Sequence, residues 1–395
     1  MSIQGFFIKP YFLYSMLKKV IDFATAKLSR LLPAWEASNV INTFPESAAH
    51  RYVLPGNIDS MPVEVADHYR KLVSDAPKVI PALRLYTVAN ANVSWHGAMF
   101  NNLRLFKPEM SPDVDGFFRD SFLLKQWLQP KRVRRYDEAA LVYDIWSAQN
   151  YYHWLVESLP RLLALRKYYP TIGLLVPEPT PSFIKVTVSI LGFEKLIPIK
   201  KDEIAKVKSL IVPEKVPYLV MSLEDTTSGQ GEFSLTTVRD ELLREVDNPT
   251  LVPHRRIYVS RAKQSVRRVS NEAAVGQVLE KYGFETVFFE DLSFTEQMEL
   301  MRETAVLVGL HGANLTNLMF LHPATTVIEL INVDSEKYLF YFFLASYFKI
   351  SYYAATCRSV TGDVNNQVDV VVDIEELNSV IVAALSGQPE ASMLK

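Results

Sequence analysis

The sequence predicts an α/β fold built on a parallel sheet, and three observations predict it. From about residue 255 onward, short apolar runs alternate with segments of helical spacing. The runs are continuous rather than alternating, as strands covered on both faces are. Basic, amide and acidic residues gather where the runs end, at the edge where such a sheet binds ligands.

Residues 257–260 are a β-rich run, 271–281 have helical spacing, and 285–289 give a second strand signal before Asp291. A helix at 295–303 follows, with Met298, Leu300 and Met301 as its apolar contribution, and then the fully apolar run 305–310. After His311-Gly312 a third helix carries Asn314, Asn317 and Phe320, 326–331 is the next strand and 338–348 the next helix. This reads as a Rossmann-like domain at 255–385. The polar stretch 247–254, with two prolines, is the linker before it.

Upstream, 139–145 reads as a strand feeding a long helix from Asn150 toward Tyr169, with Pro160 set to kink it or reset its start. A first Rossmann-like unit at about 136–246 follows from this. Residues 35–110 carry short β-rich pieces, 83–88 and 92–95, broken by Pro and Asn, and read as a small meander elaborating the first domain. Residues 228–231 read as a loop at the cleft, and 386–395 as a frayed tail.

Two constellations carry chemistry. In the C-terminal domain, Arg261, Arg267 and Arg268 follow the first strand, and His311-Gly312 opens a helix after a buried strand. A free helix start presents unpaired N–H groups and positive potential, and arginine's fork matches phosphate oxygens. Taken singly, His311 is as readily a surface loop residue and each arginine a solvated one. Glu329 ends a strand at the same edge, where a carboxylate can accept from a ribose diol. Neither G-x-G-x-x-G nor G-x-x-x-x-G-K-[ST] occurs, which argues against a dehydrogenase and a P-loop enzyme. In the first domain His153 and Glu157 stand four apart on one helical face with Arg161 a turn further. A histidine oriented by a carboxylate suits a general base, and the alternative is an ordinary polar helix face. Tyr151, Tyr152 and Trp154 beside them suit sugar faces or an interface core equally.

The run Tyr151-Tyr-His-Trp-Leu-Val-Glu-Ser-Leu-Pro-Arg161, then Ser260-Arg261, Arg267-Arg268, Asn271-Glu272, Leu292-Ser-Phe294, His311-Gly-Ala-Asn-Leu-Thr-Asn317 and Ile328-Glu329, resembles glycosyltransferase family 61 over roughly residues 135–332. The resemblance implies a GT-B arrangement, two Rossmann-like domains facing across a cleft, with an inverting transfer from a nucleotide sugar. It implies an acceptor-side domain at 35–246 and a nucleotide-sugar-binding domain at 255–385. The base falls to His153, helped or replaced by Glu157; donor binding falls to Arg161, Arg261, Arg267, Arg268, Asn271, His311, Gly312, Ala313, Asn314, Asn317 and Glu329. Asn314 departs from the family's usual glycine, and asparagine tolerates a left-handed backbone.

Asp113-Val-Asp115 matches a metal-binding Asp-x-Asp but lies in a turn-forming stretch, so metal-independent activity is expected, with no cofactor beyond a nucleotide-sugar substrate, UDP-sugar favoured. The chain of 395 residues suggests two or three domains, and its net charge of −2 gives no case for nucleic acid. A single cysteine, Cys357, fits a reducing compartment. Residues 1–34 form an amphipathic helical segment in which 6–32 mixes apolar residues with Lys9, Lys18, Lys19, Lys27 and Arg30; peripheral membrane contact and packing on the protein itself stay equally open. The expected partners are a nucleotide sugar and a glycan or lipid-linked glycan. The expected setting is cytoplasmic, at the inner face of a membrane, in surface polysaccharide synthesis (capsule, exopolysaccharide or lipopolysaccharide). A nucleotide-sugar epimerase or hydrolase, and a non-catalytic glycan assembly protein, are the alternatives on the same fold.

Overall fold

A computed structural model describes residues 39–44, 47–48, 51–76, 79–80, 83–101, 104–105, 131–214, 233–244, 246, 248, 250–334, 340–363 and 367–387. The expectations for residues 1–34, Asp113-Val-Asp115 and 228–231 lie outside the described residues. The strands of the first half are β1 (Asn39–Phe44), β2 (Ser47–Ala48), β3 (Val79–Ile80), β4 (Leu83–Ser94), β5 (Met99–Asn101), β6 (Arg104–Leu105), β7 (Arg132–Ala140), β8 (Leu174–Pro177), β9 (Leu196–Ile199) and β10 (Glu203–Pro213). They make a mixed sheet in the order β6-β5-β4-β10-β7-β8-β9 with β1 on β4, while β2 and β3 pair separately. The two pieces expected at 83–88 and 92–95 are the one strand β4. The strand expected at 139–145 runs instead from Arg132 to Ala140: its first residues are charged and exposed, so an apolar run could not reveal them.

The second half holds β11 (Arg255–Val259), β12 (Phe284–Val287), β13 (Thr304–Leu310), β14 (Thr326–Asn332), β15 (Ser351–Ser359) and β16 (Val370–Val372) in the order β12-β11-β13-β14-β15-β16. All pairs are parallel except β15 with β16. The chain order reverses between β11 and β13, so the loops leaving those two strands flank the topological switch point, where open α/β sheets bind ligands. Alternation along the strands divides two faces. Tyr258, Val306, Val308 and Ile328 pack with the helices Glu272–Lys281 and Ile374–Ser386. Ile257, Val259, Leu307 and Val327 pack with Phe294–Glu303, Ala313–Phe320 and Phe340–Tyr347.

That second face has no boundary with the first half. A single apolar cluster runs from Leu85, Leu141 and Trp154 through Leu318 and Phe342 to Leu307. Residues 52–75, which the sequence assigns to the first domain, pack on the second: Tyr52 meets Phe343 with ring centroids 4.6 Å apart, Tyr69 meets Phe342 at 5.0 Å, and the Gly56 N–H donates to Tyr352 O at 2.8 Å.

The long helix expected from Asn150 is interrupted where Pro160 demands it. Asn150 caps a first turn, its side chain accepting from the Tyr152 and His153 amides. Trp154–Ser158 is a π-helical turn, closed by Leu159 N–H donating to Trp154 O, and a regular helix Leu159–Tyr168 then holds Pro160 in its first turn. There the missing proline N–H leaves no gap in the ladder.

Asn57 locks the N-terminal segment to β15, donating to Ala354 O at 2.7 Å and accepting from Ala354 N–H at 3.2 Å in a buried setting. Asn57→Ala is predicted to destabilise the fold by about 2 kcal/mol, because two buried backbone groups lose their partners. An unchanged midpoint in urea unfolding would show that these bonds contribute nothing.

Candidate functional site

The loop after β11 and the turn after β13 converge. Arg261 Nε donates to Arg267 O at 2.9 Å, and Arg267 Nη1 donates to His311 O at 3.0 Å. A Cβ built on Gly312 would stand 2.8 Å from Arg261 Nη1 and 3.5 Å from Arg267 Nη1. A side chain there would displace the Arg261 guanidinium, while the φ of 164° is extended backbone open to any residue. Arg267 itself sits in the left-handed region at φ 58°. Such a conformation in a residue other than glycine persists only where its surroundings enforce it.

Neither Arg261 nor Arg267 makes an ion pair with a carboxylate among the described residues. Burial lowers the pKa of both guanidinium groups, and Arg267 lowers that of Arg261 further by like-charge repulsion. Arg267 Nε and Asn314 Nδ2 are also buried without a hydrogen-bond partner among the described residues. Two desolvated cations and two idle donors around one glycine define a site short of negative charge. Ala313 and Asn314 begin the 3-10 helix Ala313–Phe320, and Asn314 takes no positive φ, so the left-handed turn considered for it is not used.

His311 is held from behind. Its Nδ1 lies 2.5 Å from Glu329 Oε1, and Glu329 Oε2 accepts from Tyr352 Oη at 2.7 Å. Glu329 is 0% exposed, so it orients His311 and does not face a ribose as expected. Four further residues expected at the donor have protein partners. Asn317 is buried between Gln297 Oε1, to which it donates at 2.8 Å, and Tyr151 Oη, which donates to its Oδ1 at 2.5 Å. Asn271 exchanges two hydrogen bonds with the backbone of Val372, and Arg268 pairs with Asp369 at 2.8 Å, so both tether their loop to the edge strand β16. Arg161, 6% exposed, donates to Pro213 O through Nε and Nη2 and to Val142 O through Nη1. Burial pushes its pKa down to about 10, against the raising influence of Asp144, Glu157 and Glu214. It lies nearly buried, within electrostatic reach of those carboxylates and bonded to backbone carbonyls.

The second histidine is oriented in the same manner. His153 Nδ1 lies 2.9 Å from Glu157 Oε1; the Glu157 side chain is 2% exposed and that of His153 17%. The π-helical turn carries Glu157, a widening often found where side chains act. Trp146, 47% exposed, stands with its ring centroid 6.0 Å from that of His153. A ring bridge joins the two histidines: Tyr152 meets Tyr341 at 5.6 Å, and Tyr341 meets His311 at 5.1 Å, both edge to face. Burial and the Glu329 carboxylate push the Tyr341 phenol up, while Arg267 and Arg261 pull it down, so this ring borders both the dyad and the cations.

Sequence reasoning missed Trp146, Tyr341 and Tyr352. An Asp144-x-x-Ser147 turn, in which Asp144 Oδ1 accepts from the Trp146 and Ser147 amides at 3.0 Å, is a local signal for the first. Nothing in a single sequence marks the other two. Among the described residues no group of three or more His, Cys, Asp or Glu is arranged to hold a metal.

Arg161→Met is predicted to lower stability by roughly 3 kcal/mol, since it strips donors from buried carbonyls and charge from buried carboxylates. Calorimetric melting checks this, and a variant as stable as the parent would return Arg161 to the list of ligand contacts.

Residues 151–328 match the family described as Glycosyltransferase 61. The chain is similar to the EGF domain-specific O-linked N-acetylglucosamine transferase of Drosophila melanogaster, 36% identical over 102 residues, which are 24% of this chain and 19% of that protein. It is 37% identical over 49 residues to the proteins of that name in Gallus gallus and Mus musculus, 12% of this chain and 9% of theirs. The chain thus spans less than a fifth of the length of these curated relatives. The stretch matched begins at Tyr151, two residues before His153, and ends at Ile328, so it holds both histidines and the cation pair. The match to the family described as Glycosyltransferase 61 covers just under half of the chain and includes the whole of the site described above except Glu329, Tyr341 and Tyr352 and the turn at Trp146.

Proposed function

We propose that this protein is an inverting, metal-independent glycosyltransferase that moves a sugar from a nucleotide-sugar donor to a hydroxyl of a glycan or lipid-linked glycan. The observation that carries the reading is the pair of half-buried guanidinium groups without carboxylate partners among the described residues, around Gly312 at the switch point of the second sheet. A diphosphate supplies the charge that site lacks. The match to the family described as Glycosyltransferase 61 over 151–328 supports the same chemistry.

In the reaction the acceptor oxygen forms its bond to the anomeric carbon as the bond from that carbon to the diphosphate oxygen breaks. The acceptor proton passes to His153, whose other nitrogen is fixed by Glu157, and the electron pair leaves with the diphosphate. Arg261, Arg267 and the N–H groups at the start of Ala313–Phe320 meet the growing negative charge. Trp146 beside His153 is placed to lie under a sugar ring. Cations and backbone donors carry out the neutralisation that a metal serves elsewhere, so the reaction runs without one. The two halves act as the facing domains of a GT-B enzyme, in surface polysaccharide synthesis at the cytoplasmic face of a membrane. No helix among the described residues is long and apolar enough to cross one.

UDP-N-acetylglucosamine is the first donor to test, because the matched relatives are named for transfer of that sugar. UDP is expected to raise the melting temperature by linkage, and the rise is expected to survive EDTA. Loss of the shift in EDTA with recovery in magnesium would overturn the metal-independent mechanism, and no shift with any nucleoside diphosphate would overturn the donor site. Arg267→Ala is expected to reduce turnover about a hundredfold, near 3 kcal/mol of transition-state stabilisation, while its melting temperature holds or rises. Equal loss of folding and turnover would make this arginine structural. His153→Ala is expected to abolish transfer and keep the UDP shift; transfer at the parental rate would remove His153 from the chemistry.

A further inference from the structure

Behind His311 runs a chain of hydrogen bonds that leaves the site and ends in a different part of the sequence. Glu329 Oε1 faces His311 Nδ1 at 2.5 Å, Tyr352 Oη donates to Glu329 Oε2 at 2.7 Å, and Tyr69 Oη lies 2.9 Å from Tyr352 Oη. The proton positions follow from counting. A carboxylate only accepts, so His311 Nδ1 carries a hydrogen and Tyr352 gives its one proton to Glu329. The Tyr352 oxygen is then the acceptor for Tyr69, which donates. Tyr69, Tyr352 and Glu329 come from the helix Val63–Asp75, from β15 and from β14, so three elements fix the tautomer of one imidazole on the turn after β13.

Such a chain does more than pack. Glu329 and Tyr69 are 0% exposed, and a buried carboxylate is tolerated when each oxygen has a donor. With Nδ1 turned inward, His311 keeps Nε2 on the outward edge of a ring whose side chain is 17% exposed. The carbonyl of the same residue accepts from Arg267 Nη1 at 3.0 Å, so the ring's orientation and the cation's position are set by one residue.

We propose that Glu329, Tyr352 and Tyr69 are positioning residues for the phosphate end of the nucleotide-sugar site, acting through His311. The inference rests on the donor-site reading above. It assigns the helix Val63–Asp75 to the donor machinery, although the sequence places that helix in the opposite domain. Tyr69 and Tyr352 touch no substrate; they determine how much of Glu329's charge His311 experiences.

Proton and nitrogen NMR of the imidazoles in the full chain tests this without any ligand, and seven histidines make the spectrum tractable, with His311→Gln identifying the signal. The His311 Nδ1–H proton is expected far downfield. Tyr352→Phe removes a competing donor from Glu329 and should move that proton further downfield; Tyr69→Phe should do the same more weakly. Glu329→Gln should move it upfield and populate both tautomers, since an amide can accept from Nδ1–H or donate to Nδ1. A purely structural role predicts no such opposed pair of shifts, and shifts that are absent or of one sign overturn the proposal. UDP titration of the same samples separates the two claims. Opposed shifts in a protein that binds no nucleoside diphosphate would sustain the chain of bonds and overturn its link to a donor site. UDP binding with unmoved His311 signals would keep the donor site and overturn the positioning role. With both intact, Tyr69→Phe is expected to lower turnover about threefold to tenfold at unchanged melting temperature.

Discussion

The apolar layer between the two sheets is the constraint on which the site depends. Leu318, Phe320, Phe342 and Leu344 are fully buried in it, on helices that belong by sequence to the second half and pack in the cluster of the first. Each such side chain contributes roughly 1.5–3 kcal/mol by burial, so separating the halves along this layer would expose far more than a small domain can lose. The spacing between His153 and His311 is therefore set by core packing, through Tyr152 and Tyr341 at the layer's edge. Tyr151 Oη donating to Asn317 Oδ1 fixes the same edge by a directional bond.

Each histidine is oriented by a buried carboxylate, and each carboxylate needs its own compensation. Glu157 has Arg161 one turn along its helix, whose guanidinium also clamps Pro213 O and Val142 O. Glu329 has no such cation behind it and draws on a phenol, Tyr352, which takes its own hydrogen bond from Tyr69. The difference follows from location. An i,i+4 helical pair brings its cation along the same chain, whereas a residue in the middle of a parallel sheet meets only what neighbouring elements supply.

The second sheet was legible because its strands are apolar on both faces and segments of helical spacing separate them. The pairing of His153 with Glu157 was legible for the same local reason. The partners of Glu329, Asn317, Asn271 and Arg268 were not legible, because a polar residue at a strand end announces that it will be paired, and only the fold decides with what. Asn271 and Arg268 found an edge strand about a hundred residues away, and Asn317 found the opposite half. Tyr341 and Tyr352 resembled ordinary core. Their hydroxyls matter because of neighbours that no spacing rule reveals. Residues 52–75 follow the first half in chain order but pack on Phe342, Phe343 and Tyr352 of the second, a contact that chain proximity does not reveal.

The loop 261–271 shows how four similar residues come to differ. Arg268 and Asn271 are satisfied by β16 and give the loop its anchor. That anchor lets Arg267 be held in a left-handed conformation and lets Arg261 lie against Gly312, although the two guanidinium groups repel each other and burial disfavours both. Hydrogen bonds to Arg267 O and His311 O aim the groups without neutralising them. A cation pair under this load has lower energy once an anion arrives, and under the proposed function that anion is the leaving diphosphate as it accumulates charge. A carboxylate partner in either position would relax the resting protein and remove that difference, which is why satisfied tethers and unsatisfied cations stand side by side in one loop.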